Sequence, residues 1–490
     1  MSPNPLAPDW LREPADLAAL DPAVWSRTAT RADDGGLVIG GVPAAELAAT
    51  WGTPLYVLDE ADVRSRAAET VEAFRREFAR IGTTVKVYYA GKAFLSAAVA
   101  RWVSEAGMAV DICTGGEFAV ARAAGVPAAR LGFHGNNKSD AEIERTVEAG
   151  IGAIVLDDPS EVDRVADAAE RHGIVQAVRL RVNSGVHAST HEYLATARED
   201  QKFGVPLADT ADVVAAVRAR PSLRFLGLHS HIGSQIFGAD GFAEAARRLL
   251  GVHAELLAGG DVPELNLGGG FGIAYTSADD ARPIGDLAAA LADIVADECG
   301  RRSIPVPVVA VEPGRTVVGP GGTTLYTVGT VKDVHVAVDE VDVDAAVTES
   351  AEAAAHDESV SRSRPAATAV RRYVSVDGGM SDNARTALYA ADYSVALAGR
   401  ASSAPPALVR VAGKHCESGD VVVLADYLPG DVHRGDLLAV PATGAYCHSL
   451  SSNYNHVGRP PVVAVLDGTS RVVVRGESEA DLLARDAGLD

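Results

Sequence analysis

Residues 85–94 read VKVYYAGKAF. The first six, Val85–Ala90, form a β-branched and aromatic run that predicts a buried strand, and Gly91 ends it. Lys92 then stands just past the strand's C-terminal end, where α/β enzymes place their reacting groups. A lysine there is solvated, pairs with an anion, or bonds a carbonyl cofactor as a Schiff base. The rest of the chain decides among these.

The same pattern repeats downstream. Short apolar runs at 108–112, 131–133, 154–156, 177–182, 225–229, 264–267 and 308–311 alternate with amphipathic, Ala-rich stretches at 93–105, 116–124, 140–148, 160–172, 211–218, 241–257 and 286–299. Such alternation predicts parallel βαβ units. Eight strands predict one closed (β/α)₈ TIM-like barrel, with an open doubly wound sheet as the rival. After Pro313 the pattern changes to short Val-rich runs at 323–336, 373–376, 409–411, 421–425, 437–441 and 462–466, separated by Gly, Pro or Asp turns. That predicts a C-terminal all-β barrel or sandwich. A strand signal at 35–41 suggests that residues 1–50 join this β domain. The barrel is then expected over 51–311 and the β domain over 312–490. Within the latter, 339–370 carries eight acidic and two basic residues with poor periodicity, and predicts a mobile insertion.

At 490 residues the chain is long enough for two cores. Apolar residues make up 47% and charged residues 22%, as in globular proteins. Asp and Glu total 66 against 44 Lys and Arg, a net charge of −22 that argues against nucleic-acid and membrane-surface partners. Cys113, Cys299, Cys416 and Cys447 form no CxxC pair and predict no disulfide scaffold. No basic leader and no apolar run of roughly 20 residues is present. A soluble, cytoplasmic protein is expected.

The candidate strand ends carry a coherent set. They present Lys92, then Asp111 with Cys113–Glu117, His134 with Asn136, Asn137 and Lys138, then Arg181 and Asn183. His229, His231 and Ser234 follow, then Gly268–Gly270, then Glu312, Pro313, Gly314 and Arg315. A triple glycine lets backbone N–H groups approach an anion. Gly314 and Arg315 add further N–H groups and a guanidinium, and the loops after strands 7 and 8 are a common phosphate site in these barrels. Glu312 is either a structural ion-pair partner or a carboxylate that keeps a heteroaromatic ring nitrogen protonated. His229 and His231 alternate, so a strand would face both inward, as metal ligands do. No third ligand stands out, and His231 is better read as a flat face against a ring, with no metal expected. A reactive lysine, a phosphate grip, a ring-nitrogen carboxylate and a stacking imidazole together describe pyridoxal 5′-phosphate.

On these residues the chain resembles the fold type III, pyridoxal-phosphate-dependent decarboxylases of the alanine-racemase-like barrel class, and among them the diaminopimelate-specific, actinobacterial branch. The resemblance runs from about residue 52 to 465. It rests on YYAGKAF (88–94), HSHIGSQI (229–236), NLGGGFGIAY (266–275), EPGR (312–315), DGGMSDNARTALY (377–389), CESGD (416–420) and GAYCHSLSSNYN (444–455). It implies that Lys92 bonds the cofactor, Glu312 pairs with its ring nitrogen and His231 stacks on the ring. Gly270, Gly314 and Arg315 would hold the phosphate, and Asp111, Ser234, Pro313 and Tyr446 complete the cofactor set. Cys416 matches the family's proton donor. Arg315, Arg385, Tyr389, Glu417 and Tyr446 match its substrate contacts. Cys416 and Glu417 would come from the other subunit of a homodimer.

The implied reaction is decarboxylation of meso-2,6-diaminopimelate to L-lysine and CO₂, the last step of lysine biosynthesis. A distal amino-acid end requires a cation for its carboxylate, which Arg385 and Arg315 offer, and a group for its ammonium, which Glu417 offers. Residues 191–204 (HEYLATAREDQKFG) resemble the loop that separates this substrate from plain diamines. The alternatives are an ornithine- or carboxynorspermidine-type decarboxylase, a non-catalytic pyridoxal-phosphate-binding protein, and a metal-dependent hydrolase resting on His229 and His231 alone.

Overall fold

The computed structural model describes residues 4–186, 202–338 and 368–489. Residues 339–367 of the expected insertion and 191–201 of the diamine-discriminating motif lie outside them. The chain divides into two compact units. One comprises Asp62–Ile273 and Asp280–Gly319, the other Met1–Ala61, Ala274–Asp279 and Pro320–Asp490.

The first unit is a closed barrel of parallel strands: β1 (Val85–Ala90), β2 (Ala109–Ile112), β3 (Leu131–Phe133), β4 (Ala153–Leu156), β5 (Gln176–Asn183), β6 (Leu223–His229), β7 (Glu264–Asn266) and β8 (Val308–Val311). β8 pairs back onto β1 through Val309 with Val85, which closes the ring. The helices between strands bear their own punctuation. Asp140–Glu148 starts on a reciprocal capping box of Ser139 and Glu142, and Ser160–His172 stops at Gly173 in the left-handed conformation. The stretch after Lys92 begins its helix at Ala97 rather than at residue 93, because Ser96 caps it by accepting from Val99 N–H. A helix over Glu60–Arg80 precedes β1 and was not expected from the alternation. It buries Val63, Ala67, Val71, Phe74 and Phe78 along one stripe.

Barrel interiors are usually filled by branched apolar layers. Here Arg179 of β5 is 0% exposed and bonds Glu264 of β7 at 2.7 Å and the Tyr88 hydroxyl of β1 at 3.0 Å. Alternation then sets the inward residues two positions further along each strand at the barrel's C-terminal mouth. They are Ala90, Arg181, His229 and Asn266, with Glu312 just beyond β8.

The second unit is sheet-rich. Its long strand β9 (Gly322–Ala337) pairs antiparallel with β10 (Thr368–Val376) along one half. Along the other it pairs with Leu55–Asp59 on one edge and with a later strand, Leu437–Pro441, on the other. Beyond β10 lie β11 (Pro406–Ala412) and β12 (Val421–Pro429). Leu55–Asp59 is thus a strand of this sheet, where the sequence put the barrel's start at 51, and residues 368–370 open β10 rather than end an insertion. Among the described residues no helix is long and apolar enough to cross a membrane.

Candidate active site

The strand-end residues of the barrel converge on one cavity. It measures about 480 Å³ and is lined by Lys92, Asp111, His229, His231, Gly233 and Glu312 among others, a size ordinary for small-molecule sites. Lys92 is exposed on a single 3₁₀ turn, Gly91–Ala93, directly after β1. A Cβ on Gly91 would lie 2.6 Å from the Asp111 carbonyl oxygen. Glycine therefore lets β1 turn against β2 and deliver the lysine to the mouth.

Glu312 is the hub of the cavity floor. Its Oε1 accepts from Asn266 Nδ2 at 2.6 Å, lies 3.0 Å from His229 Nε2, and lies 3.6 Å from His134 Nε2. His134 Nε2 is in turn 3.1 Å from Asp111 Oδ1. Two buried carboxylates this close do not both ionise cheaply. Burial pushes Asp111 well above the usual carboxylate range, and the neighbouring Glu312 pushes it further. Burial opposes the charge on Glu312 as well, but His229, His134 and His231 around it turn the balance and hold it well below that range. Burial also drives His134 and His229 down to about 4 and His231 to about 3, so their charge steadies Glu312 only in acid, and at neutral pH they face it as neutral imidazoles. The proton therefore resides on Asp111 and the negative charge on Glu312.

Loops continue outward from the His231 and Gly233 side of the cavity. Arg315 Nη2 donates to Ser234 Oγ at 2.7 Å, and Gly269 N–H points at His231 Nδ1 at 3.4 Å. Gly270 has φ +110°, and a Cβ there would lie 2.4 Å from the Gly233 carbonyl oxygen. The loops after β6 and β7 are thereby drawn together. Gly270→Ala is expected to cost about 1–3 kcal/mol of backbone strain and to force these loops apart. A fluorescence titration of the cofactor-depleted protein should show affinity for pyridoxal 5′-phosphate reduced about tenfold or more.

The remaining predicted residues lie in the second unit. Arg385 opens a short helix, Arg385–Tyr389, and is 6% exposed. Its guanidinium sits 4.4 Å from the Tyr275 ring centre and donates to the Tyr393 hydroxyl. Among the described residues it has no carboxylate partner. Tyr389, at the helix end, is 66% exposed. Cys416 and Glu417 occupy an exposed turn between β11 and β12. Tyr446 is half-buried at φ +62°, a left-handed conformation that bulky residues hold only when their surroundings demand it.

Several functional neighbours were not selected from sequence. Asp420 accepts from Met380 N–H at 2.6 Å and from His415 N–H at 2.7 Å, while His415 Nε2 meets Ser381 Oγ at 2.8 Å. These bonds tie the Cys416 turn to the loop leading to Arg385. The final Asp of CESGD was in view, but nothing in the spacing names its partners. The third group beside His229 and Glu312 is His134, not His231: β6 ends at His229, so strand alternation does not extend to His231. Asn266 opens the NLGGG run, and its spacing does not mark it as the donor to Glu312.

The barrel cavity suits pyridoxal 5′-phosphate on its own geometry. Both Asp111 oxygens are buried without a well-formed hydrogen bond, an ionised carboxylate faces inward, and a glycine cradle lies beside an arginine. The comparisons agree. Residues 64–319 match the family model for the pyridoxal-dependent decarboxylase, pyridoxal binding domain. The diaminopimelate decarboxylase of Mycobacterium tuberculosis is 49% identical over 477 residues, covering 96% of this chain and 99% of the relative. That of Bacillus subtilis is 40% identical over 463 residues, covering 94% and 97%. The crystal structure of the M. jannaschii diaminopimelate decarboxylase matches with a TM-score of 0.81 at 30% identity, covering 94% of this chain and 98% of that one. The cofactor is pyridoxal 5′-phosphate, and the chain belongs to the diaminopimelate decarboxylase family of pyridoxal-dependent decarboxylases.

Proposed function

We propose that this chain decarboxylates meso-2,6-diaminopimelate to L-lysine and CO₂. The observation that carries the substrate is Arg385. A buried cation normally requires an anion, and this one is packed on aromatic faces with no carboxylate beside it among the described residues. It is thus available to the distal carboxylate that diaminopimelate has and a plain diamine precursor lacks. Glu417, exposed on the Cys416 turn, is assigned to the distal ammonium, and Arg315, Tyr389 and Tyr446 to further substrate contacts.

When bound, pyridoxal 5′-phosphate accepts the electron pair left behind by departing CO₂. The protein's part is positional and protonic. Lys92, at the cavity mouth, would hold the cofactor covalently. Glu312 keeps a proton on the ring nitrogen, placing positive charge where electrons collect. His231 would present its flat face to the ring. Gly270, Gly314, Arg315 and Ser234 would hold the phosphate, with Pro313 shaping that turn, and Asp111 would complete the cofactor set. Cys416 returns a proton to the carbon that lost CO₂.

We assign the enzyme to a homodimer in which each subunit's cofactor is served by Cys416 of the partner subunit and Glu417 of the partner subunit. The exposure of that turn and of Tyr389 supports this. Purified protein supplied separately with meso-diaminopimelate, L-ornithine and carboxynorspermidine should release CO₂ from the first alone, with L-lysine as product. Turnover of ornithine without turnover of diaminopimelate would overturn the reading.

A further inference from the structure

We propose that His229 is a positioning residue for this reaction: together with Asn266 it orients the Glu312 carboxylate toward the cofactor's ring nitrogen, with the His134 ring standing between that carboxylate and Asp111. The inference deepens the proposed function and rests on Glu312 as the ring-nitrogen partner.

The geometry separates the two histidines of the HxH motif. His229 is the last residue of β6 and is buried inside the barrel, with Nε2 3.0 Å from Glu312 Oε1. His231 lies past the strand, half-buried at the cavity. Glu312 Oε1 also takes the Asn266 N–H at 2.6 Å, and Asn266 is itself held by Gly268 N–H on its Oδ1 at 2.8 Å. Asn266 donates to Oε1, and His229 Nε2 lies against the same oxygen from the adjacent strand without a well-formed hydrogen bond, an arrangement that leaves Oε2 for the ring nitrogen. The His229 contact is bent from the ideal line, and catalytic hydrogen bonds often align fully only in the loaded site.

His134 packs edge-on against His229 with ring centres 5.0 Å apart, and its Nε2 lies 3.1 Å from Asp111 Oδ1 and 3.6 Å from Glu312 Oε1. Both imidazoles are neutral at neutral pH, so His229 can turn an N–H to the anion without competing as a cation for its charge. A charged partner strengthens such bonds about twofold over neutral ones. The same three groups lie within 4.8 Å of one another and would also suit a divalent cation. A cation there would take the His229 nitrogen and the Glu312 oxygen that the first reading pairs with each other, so one experiment decides between them.

The test is ¹⁵N NMR of holoenzyme reconstituted with ring-¹⁵N-labelled pyridoxal 5′-phosphate. Wild type should show a protonated ring nitrogen near neutral pH. His229→Leu, which keeps bulk but removes the donor, should shift the signal toward the neutral ring, with kcat reduced about tenfold to a hundredfold and KM changed far less. His229→Gln, which restores an N–H near the Nε2 position, should recover protonated nitrogen. Asn266→Ala provides the same test should His229→Leu fail to fold.

If Glu312→Gln leaves the nitrogen protonated, the reading of Glu312 itself fails. If Glu312→Gln deprotonates it while His229→Leu and Asn266→Ala do not, only the positioning role fails. Tight Zn²⁺ binding to the holoenzyme, lost in His229→Leu with the nitrogen signal unchanged, would overturn the proposal in favour of a metal site.

Discussion

Lys92→Ala lowers kcat by at least about 10³-fold and leaves the protein folded. Lys92 is exposed on the 3₁₀ turn after β1, so removing its side chain opens no core cavity and breaks no buried pair. Thermal unfolding should therefore move little. Lys92→Arg is expected to be as inactive as Lys92→Ala, because a guanidinium keeps the charge but is not released from its proton to attack a carbonyl. A lysine that only pairs with an anion predicts the opposite ranking, with arginine close to wild type. The phosphate and ring contacts do not depend on Lys92, so both variants should still bind the cofactor, but reversibly. Gel filtration should strip it from them while wild type retains it.

Cys416→Ala gives the second large effect. Its kcat should fall by about 10² to 10⁴, the span attributed to a positioned general acid, with KM within a few-fold of wild type. The visible spectrum of the bound cofactor should be unchanged. Cys416 N–H donates to Asn455 Oδ1, and the turn is held by Asp420 and His415. The backbone should therefore keep its course when only the thiol is lost. A parallel fall in CO₂ release and lysine formation fits a slow return of the proton that blocks turnover. Full activity would remove Cys416 from the chemistry and leave water or another group as the donor.

The barrel was legible because its strands are short, β-branched and buried on both faces, so a local apolar run identifies them. The bounds of β1, β3 and β8 follow directly from such runs. Leu55–Asp59 is an equally apolar run, yet its place in the β sheet depends on pairing with Gly322–Leu325 and Val462–Val465. Those partners are far away in the chain, and no local pattern encodes them. The helix Glu60–Arg80 was obscured because it precedes the first strong strand.

The site divides along the same line. Lys92, Glu312 and the glycines advertise themselves by residue type at a strand end. His134 was visible at the end of β3, but its role arises only when ring closure brings β3, β6 and β8 to one mouth. Arg385 was selected through the family motif alone. That it stacks on Tyr275, a residue of the second unit inserted between barrel segments in sequence, could not be read from spacing.

The central claim is that Lys92 is the lysine that holds the cofactor. The most direct measurement reduces the cofactor-loaded protein with borohydride, digests it and maps the modified peptide by mass spectrometry. The account predicts one pyridoxyl phosphate group per chain, on the peptide carrying Lys92. A label on any other lysine, or no label on protein that turns over diaminopimelate, would contradict it.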